Sequence, residues 1–118
     1  MKLNKNELEN IKKLLKQFYS AEGPERVGFI GNKNQIIEVE NVSAKPNDGF
    51  LVSPEDTIKC IDRGAWATWH THPSQDSNLS GEDHRMFLNW PYMIHFIIGA
   101  DGVKAFSYDE TKKAIVNV

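Results

Sequence analysis

The polar and apolar positions of this chain change period several times, and each change marks a structural element. Leu8, Ile11, Leu15 and Phe18 recur at spacings of three and four, which predicts an amphipathic helix with one apolar stripe. Asn4 with Glu7 makes a capping-box-like pair, Leu3 with Leu8 fits a hydrophobic staple, and Gly23-Pro24 is expected to end the helix and turn the chain. Residues 26–30 and 36–42 then read as two strands joined through Gly31-Asn32-Lys33-Asn34, a hairpin. Phe50-Leu51-Val52 suggests a short third strand. Ser53-Pro54-Glu55-Asp56 supplies an N-cap, a first-turn proline and acidic residues at the positive end of a helix that should run to about Arg63 and stop at Gly64.

The second half alternates in the same way. Residues 65–70 read as a strand cut off by Pro73, with Trp66 and Trp69 on opposite faces, and Ser80 starts a helix carrying Met86, Phe87 and Trp90 that ends before Pro91. Residues 92–98 are apolar on both faces, as in a central buried strand. Asp101-Gly102 signals a hairpin returning residues 103–108, and residues 114–118 close an antiparallel meander. These elements predict an α/β fold: a single-domain α/β/α sandwich with a mixed, mostly antiparallel sheet, spanning residues 1–118.

Composition narrows the function classes. A formal charge of −2 lacks the basic footprint of a nucleic-acid binder, and the lysines near the start are read as the solvated face of the first helix. No apolar run approaches the ~20 residues of a membrane span, and the N-terminus lacks the apolar stretch of a signal peptide. Cys60 is the only cysteine, so no intrachain disulfide forms and a reducing compartment is expected. The expectation is a cytoplasmic protein with neither nucleic acid nor membrane as partner.

Chemistry concentrates in Trp69–Asp83. His70 and His72 stand one residue apart at a strand end, so both imidazoles project to one side. Asp83, in the first turn of the next helix, can fold back to them across residues 73–79. Two histidines, one carboxylate and an open position form the ligand set of a catalytic zinc, although iron or another divalent ion fits the same set. Ser80 and Asp83 also match a helix-capping pair, a role compatible with a Ser80 hydroxyl aimed at a developing oxyanion. A metal-bound water needs a base, and Glu25, at the mouth of its strand with Gly28 allowing close backbone approach, competes with Glu22 for that role. His84 reads as exposed, His95 as a hydrogen-bonded core histidine, and Cys60 as core packing.

Glu25-Arg26-Val27-Gly28, followed by His70-Thr71-His72-Pro73, six residues, and Ser80-Gly81-Glu82-Asp83, resembles the signature of the JAMM (MPN+/JAB) zinc metalloproteases. That signature is a Glu on an early strand and, far downstream, His-x-His-Pro-x6-Ser-x-x-Asp. Every required position is matched. Thr71 replaces a common Ser and Leu79 a frequent Pro, neither of which touches the chemistry. The resemblance implies a cytidine-deaminase-like fold with one Zn²⁺ held by His70, His72 and Asp83. It also implies Glu25 as general base, in preference to Glu22, and Ser80 as stabiliser of the tetrahedral intermediate.

The activity so implied is hydrolysis of a peptide or isopeptide bond, with removal or processing of a ubiquitin-like or sulfur-carrier protein as one form. The chain has no obvious room for the insertions with which eukaryotic relatives grip ubiquitin, and its compactness is similar to prokaryotic or phage JAB domains. Two alternatives stand beside this reading: a phage tail or cell-wall-associated JAB module acting with a separate wall peptidase, and a non-catalytic MPN-type scaffold. Intact ligands argue against the scaffold. A zinc nucleoside deaminase would need a Pro-Cys-x-x-Cys that is absent.

Overall fold

The computed structural model of the chain describes residues 3–80, 83, 87 and 89–118. Helix α1 (Lys5–Lys16) begins where Asn4 accepts the Glu7 amide at 2.8 Å, the expected cap. It stops seven residues short of Gly23. The Phe18 and Tyr19 amides bond the carbonyls of Leu15 and Lys16, tightening the last turn, and Phe18 leaves the helix to lie on Trp69 with its ring centroid 4.6 Å away.

Strands β1 (Val27–Ile30) and β2 (Ile36–Val39) form the predicted hairpin, its connection tightened by a 3-10 turn with Lys33 and Asn34 at positive φ. Helix α2 (Pro54–Asp62) starts at Ser53, whose hydroxyl accepts the Asp56 amide, and ends before Gly64 in the left-handed conformation. Strand β3 (Ala67–Thr71) carries His70, and β4 (Ile94–Gly99), β5 (Gly102–Asp109) and β6 (Ala114–Asn117) complete one six-stranded sheet in the order β2-β1-β3-β4-β5-β6.

All neighbours are antiparallel except β3 and β4, which run parallel. A parallel pair cannot be joined by a tight turn and needs a long crossover. Here the crossover contains Asp83. The connection that satisfies the topology therefore also returns a carboxylate to the strand end it left.

The two faces of the sheet have separate cores. Ile11 and Leu15 of α1 pack on Ile30, Ala67, Trp69, Phe96, Ile98 and Ala105. On the opposite face, Cys60 of α2 packs with Phe29 and Ile37, and Phe87 with Ile97 and Phe106. This is a mixed α/β fold with helical cover on both faces.

Three further local expectations fail. Residues 50–52 are not a strand, and β2 ends at Val39 rather than Val42. Beside the Val42 amide's bond to the Leu51 carbonyl, the Asn41 side chain does most of the bonding there, accepting the Ser43 and Leu51 amides and donating to the carbonyls of Glu25, Pro46 and Gly49. Trp66 precedes β3 instead of alternating with Trp69. Its indole N–H bonds the Gly31 carbonyl, and the ring packs edge-on to Phe96 against the same core that holds Trp69. The helix predicted from Ser80 falls largely on residues outside the described set, as do His84 and Met86; Phe87 and Asn89 are helical.

Candidate metal centre

The register of the sheet builds the site. Val27 of β1 pairs with His70 of β3. Beyond that pair, the Thr71 amide bonds the Arg26 carbonyl and the Thr71 hydroxyl accepts the Arg26 amide, so the chains stay side by side past the strand end. Continuing the antiparallel register sets Glu25 opposite His72. One ligand atom from each of Glu25, His70 and His72 lies within 4.8 Å of the others. Glu25 is fixed through its backbone, because its amide donates to the Pro46 carbonyl at 2.7 Å and its carbonyl accepts Asn41 Nδ2 at 2.8 Å.

Asp83 closes the site from the crossover. His70 Nε2 and His72 Nε2 are 3.0 Å apart, and each faces one oxygen of Asp83, at 3.1 Å to Oδ1 and 3.0 Å to Oδ2. Donor atoms about 2.0–2.1 Å from a tetrahedral zinc stand roughly 3.3 Å from one another, and the separation of the two Nε2 atoms and the approach of one Asp83 oxygen to each are slightly shorter than that. All three groups are buried.

The protonation of the three groups is coupled. His72 Nδ1 lies 2.9 Å from the Asp76 carbonyl, which can only accept, so Nδ1 carries a proton and, in the neutral ring, Nε2 presents a lone pair. Burial pushes His70 below its usual range, outweighing the attraction of Asp83. Burial also pushes His72 down, but hydrogen bonding to Asp83 and to the Asp76 carbonyl, with the charges of Asp83 and Glu25, brings it to a net rise. Burial would raise the Asp83 carboxyl, yet the two histidines hold it well below the ordinary carboxylate range. An ionised carboxylate against two imidazole nitrogens is a ready divalent-cation site.

Ser80 and Asp83 form a reciprocal pair: the Ser80 amide donates to Asp83 Oδ2 at 2.9 Å, and the Asp83 amide to Ser80 Oγ at 3.2 Å. The capping role read from Ser-x-x-Asp is therefore present, and it aims the carboxylate. A cleft of about 870 Å³ opens onto Glu25, His72, Ser80 and Asp83, walled on one side by residues 47–52. Phe50 covers the His70 ring at 4.8 Å between centroids. His70 Nδ1 is buried with no hydrogen-bond partner among the described residues.

His95 is not part of this cluster. Its Nε2 donates to the Trp90 carbonyl, Nδ1 meets the Thr68 hydroxyl, and its ring lies edge-on to Phe87. It is the core histidine the sequence suggested, although Phe87 and Trp90 give it a further task in holding the segment that follows Asp83. Sequence reasoning passed over Asn41, Phe50 and the Asp76 carbonyl. Only the polar loop between Pro73 and Ser80 hinted at the last.

Comparison with known proteins adds the fold. No protein-family model matches the chain, and no curated protein does. The solution structure of protein DSY2949 from Desulfitobacterium hafniense is similar, with a TM-score of 0.65 at 16% identity, covering 98% of this chain and 87% of that one. At that identity the likeness extends to the fold alone.

Proposed function

We propose that the chain is a zinc-dependent metallopeptidase of JAMM type, with the deaminase-like JAB/MPN architecture that goes with that reading, hydrolysing a peptide or isopeptide bond in a protein substrate. The observation that carries it is the convergence of His70 Nε2 and His72 Nε2, 3.0 Å apart, on the Asp83 carboxylate, one oxygen to each ring at 3.1 and 3.0 Å, with Glu25 beside them. Among the described residues, no helix is long and apolar enough to cross a membrane. A cytoplasmic setting and a ubiquitin-like or sulfur-carrier substrate belong to the same proposal.

His70, His72 and Asp83 would hold the ion. When bound, zinc supplies a water that is acidic near neutral pH and a Lewis acid for the scissile carbonyl. Glu25, tied to the cleft wall by both its amide and its carbonyl, takes a proton from the attacking water. As the carbon–nitrogen bond breaks, the same carboxyl returns that proton to the leaving amine. Ser80 Oγ accepts from the Asp83 amide, so toward a substrate its hydroxyl acts as donor, to the oxygen that gains charge.

The test is metal analysis of the purified protein with a cleavage screen over ubiquitin-like fusions, isopeptide-linked conjugates and wall peptides, with and without a chelator. Chelator-sensitive cleavage that disappears in Glu25→Gln, with metal still bound, is the expected result. Near-wild-type turnover in that variant would remove Glu25 as the base. Retained zinc with no cleavage of any substrate would favour a scaffold.

A further inference from the structure

We infer that the β4–β5 hairpin positions His72 for the metal, and that Gly99 and Asp101, neither of which touches the site, set the site's affinity for a divalent cation. The inference rests on the reading of His72 as a ligand. His72 presents Nε2 because Nδ1 donates to the Asp76 carbonyl at 2.9 Å. The Nδ1–H tautomer is therefore only as well fixed as that carbonyl, which shares the ring's orientation with Asp83 Oδ2, 3.0 Å from Nε2. Asp76 lies in an irregular loop, and what holds the loop decides what His72 can do.

The hairpin holds it at several points. The His72 amide donates to the Ile98 carbonyl at 2.8 Å, and the Ala100 amide to the Gln75 carbonyl at 2.7 Å. One residue beyond Asp76, the Ser77 amide donates to Asp101 Oδ1 at 2.8 Å. Lys104 Nζ, 3.6 Å from Asp101 Oδ2, donates to Asn78 Oδ1 at 2.8 Å. Between these bonds the loop backbone rests directly on Gly99, where a Cβ would come within 2.4 Å of Asp76 C and Ser77 N. Backbone atoms in a clamped loop cannot yield as a side-chain tip would. Gly99 is thus the floor under Asp76 and Asp101 the clasp beside it. Asp101 is a half-exposed turn residue, and its place in an Asp-Gly hairpin hides this role in the sequence.

The experiment compares wild-type protein with Asp101→Ala, Asp101→Asn and Gly99→Ala. Zn²⁺ affinity is measured by competition with a chromophoric chelator, and the Tm of each metal-free protein is recorded alongside. Loss of an outer hydrogen-bond partner typically weakens metal binding by about 10–100-fold, and that loss is expected for Asp101→Ala and Gly99→Ala. Asp101→Asn keeps an acceptor oxygen and should recover most of the affinity. Since Gly99→Ala can fail to fold, the surface variant Asp101→Ala carries the test by itself. The second readout is the imidazole ¹⁵N spectrum of His72 in metal-free protein at alkaline pH. Wild type should show the Nδ1–H tautomer and Asp101→Ala a mixture. Unchanged affinity with the Nδ1–H tautomer intact in Asp101→Ala would overturn the inference. If wild-type protein binds no Zn²⁺, the ligand reading of His72 fails, and the tautomer alone decides on the hairpin: a mixture in Asp101→Ala supports it and an unchanged spectrum refutes it.

Discussion

His95 should make the metal-free protein acid-labile by a calculable amount. Burial pushes its pKa down to about 4 from an ordinary 6.5, against the opposing pull of the Trp90 carbonyl. Folded, it stays neutral, with Nε2–H on the Trp90 carbonyl and Nδ1 accepting the Thr68 hydroxyl. Between those two values the unfolded chain binds a proton that the folded chain does not, so stability falls as pH falls. The contribution is whole above 6.5, declines through that window, and is exhausted below about 4, where both states are protonated. A difference of this size is worth about 3 kcal/mol, a large share of the roughly 5–15 kcal/mol that holds a domain together. Urea unfolding at pH 7 and pH 4, in chelator, measures it against His95→Gln. That variant should be about 1–2 kcal/mol less stable at neutral pH, having lost the Thr68 bond and the Phe87 contact. It should then lose about 3 kcal/mol less than wild type on acidification, since the other carboxylates and histidines titrate in both proteins. Equal losses in the two proteins would refute a neutral, buried His95.

Zinc at a hundredfold excess over its dissociation constant should stabilise the fold by about 2.7 kcal/mol, reversibly by chelator, as read from Tm; no shift and no bound metal would remove the metal centre. Ser80→Ala should cost about 1 kcal/mol from the lost cap and about 10²–10³ in turnover, and a stability loss alone would leave Ser80 as a cap only. Asn41→Ala frees the Glu25 and Gly49 carbonyls and the Leu51 amide together. It should lower turnover far more than Zn²⁺ affinity in a parallel assay, and equal losses would show that Asn41 supports the whole site rather than Glu25.

The fold was legible wherever one physical signal dominated. The stripe of Ile11 and Leu15, the Ser53-Pro54 helix start and the Asp101-Gly102 turn each encode an element locally, and each element formed. The misses share a cause. At Phe50–Val52 the residues suit a strand, but a single side chain ten residues earlier in the chain, Asn41, already satisfies the Leu51 amide. At Phe18 the apolar stripe continues past the helix end because the ring is needed against Trp69, not because the backbone is still helical. Tertiary demand overrode local pattern in both places.

The candidate site was legible for a different reason: metal ligands and bases must be particular side chains, so spacing records them. His70 and His72 share a face by strand periodicity, and Asp83 reaches them because a parallel β3–β4 pair requires a crossover. The supports leave no such record. The carbonyl of Asp76, the space above Gly99 and the carbonyls gathered by Asn41 act through backbone atoms, which every residue carries. A consequence is that the two halves of the site, joined through the Arg26–Thr71 bonds, have separate further supports. The histidines depend on β3 and the β4–β5 hairpin, whereas Glu25 depends on Asn41 and the 43–51 loop, so substitutions should separate metal binding from turnover according to which support they remove.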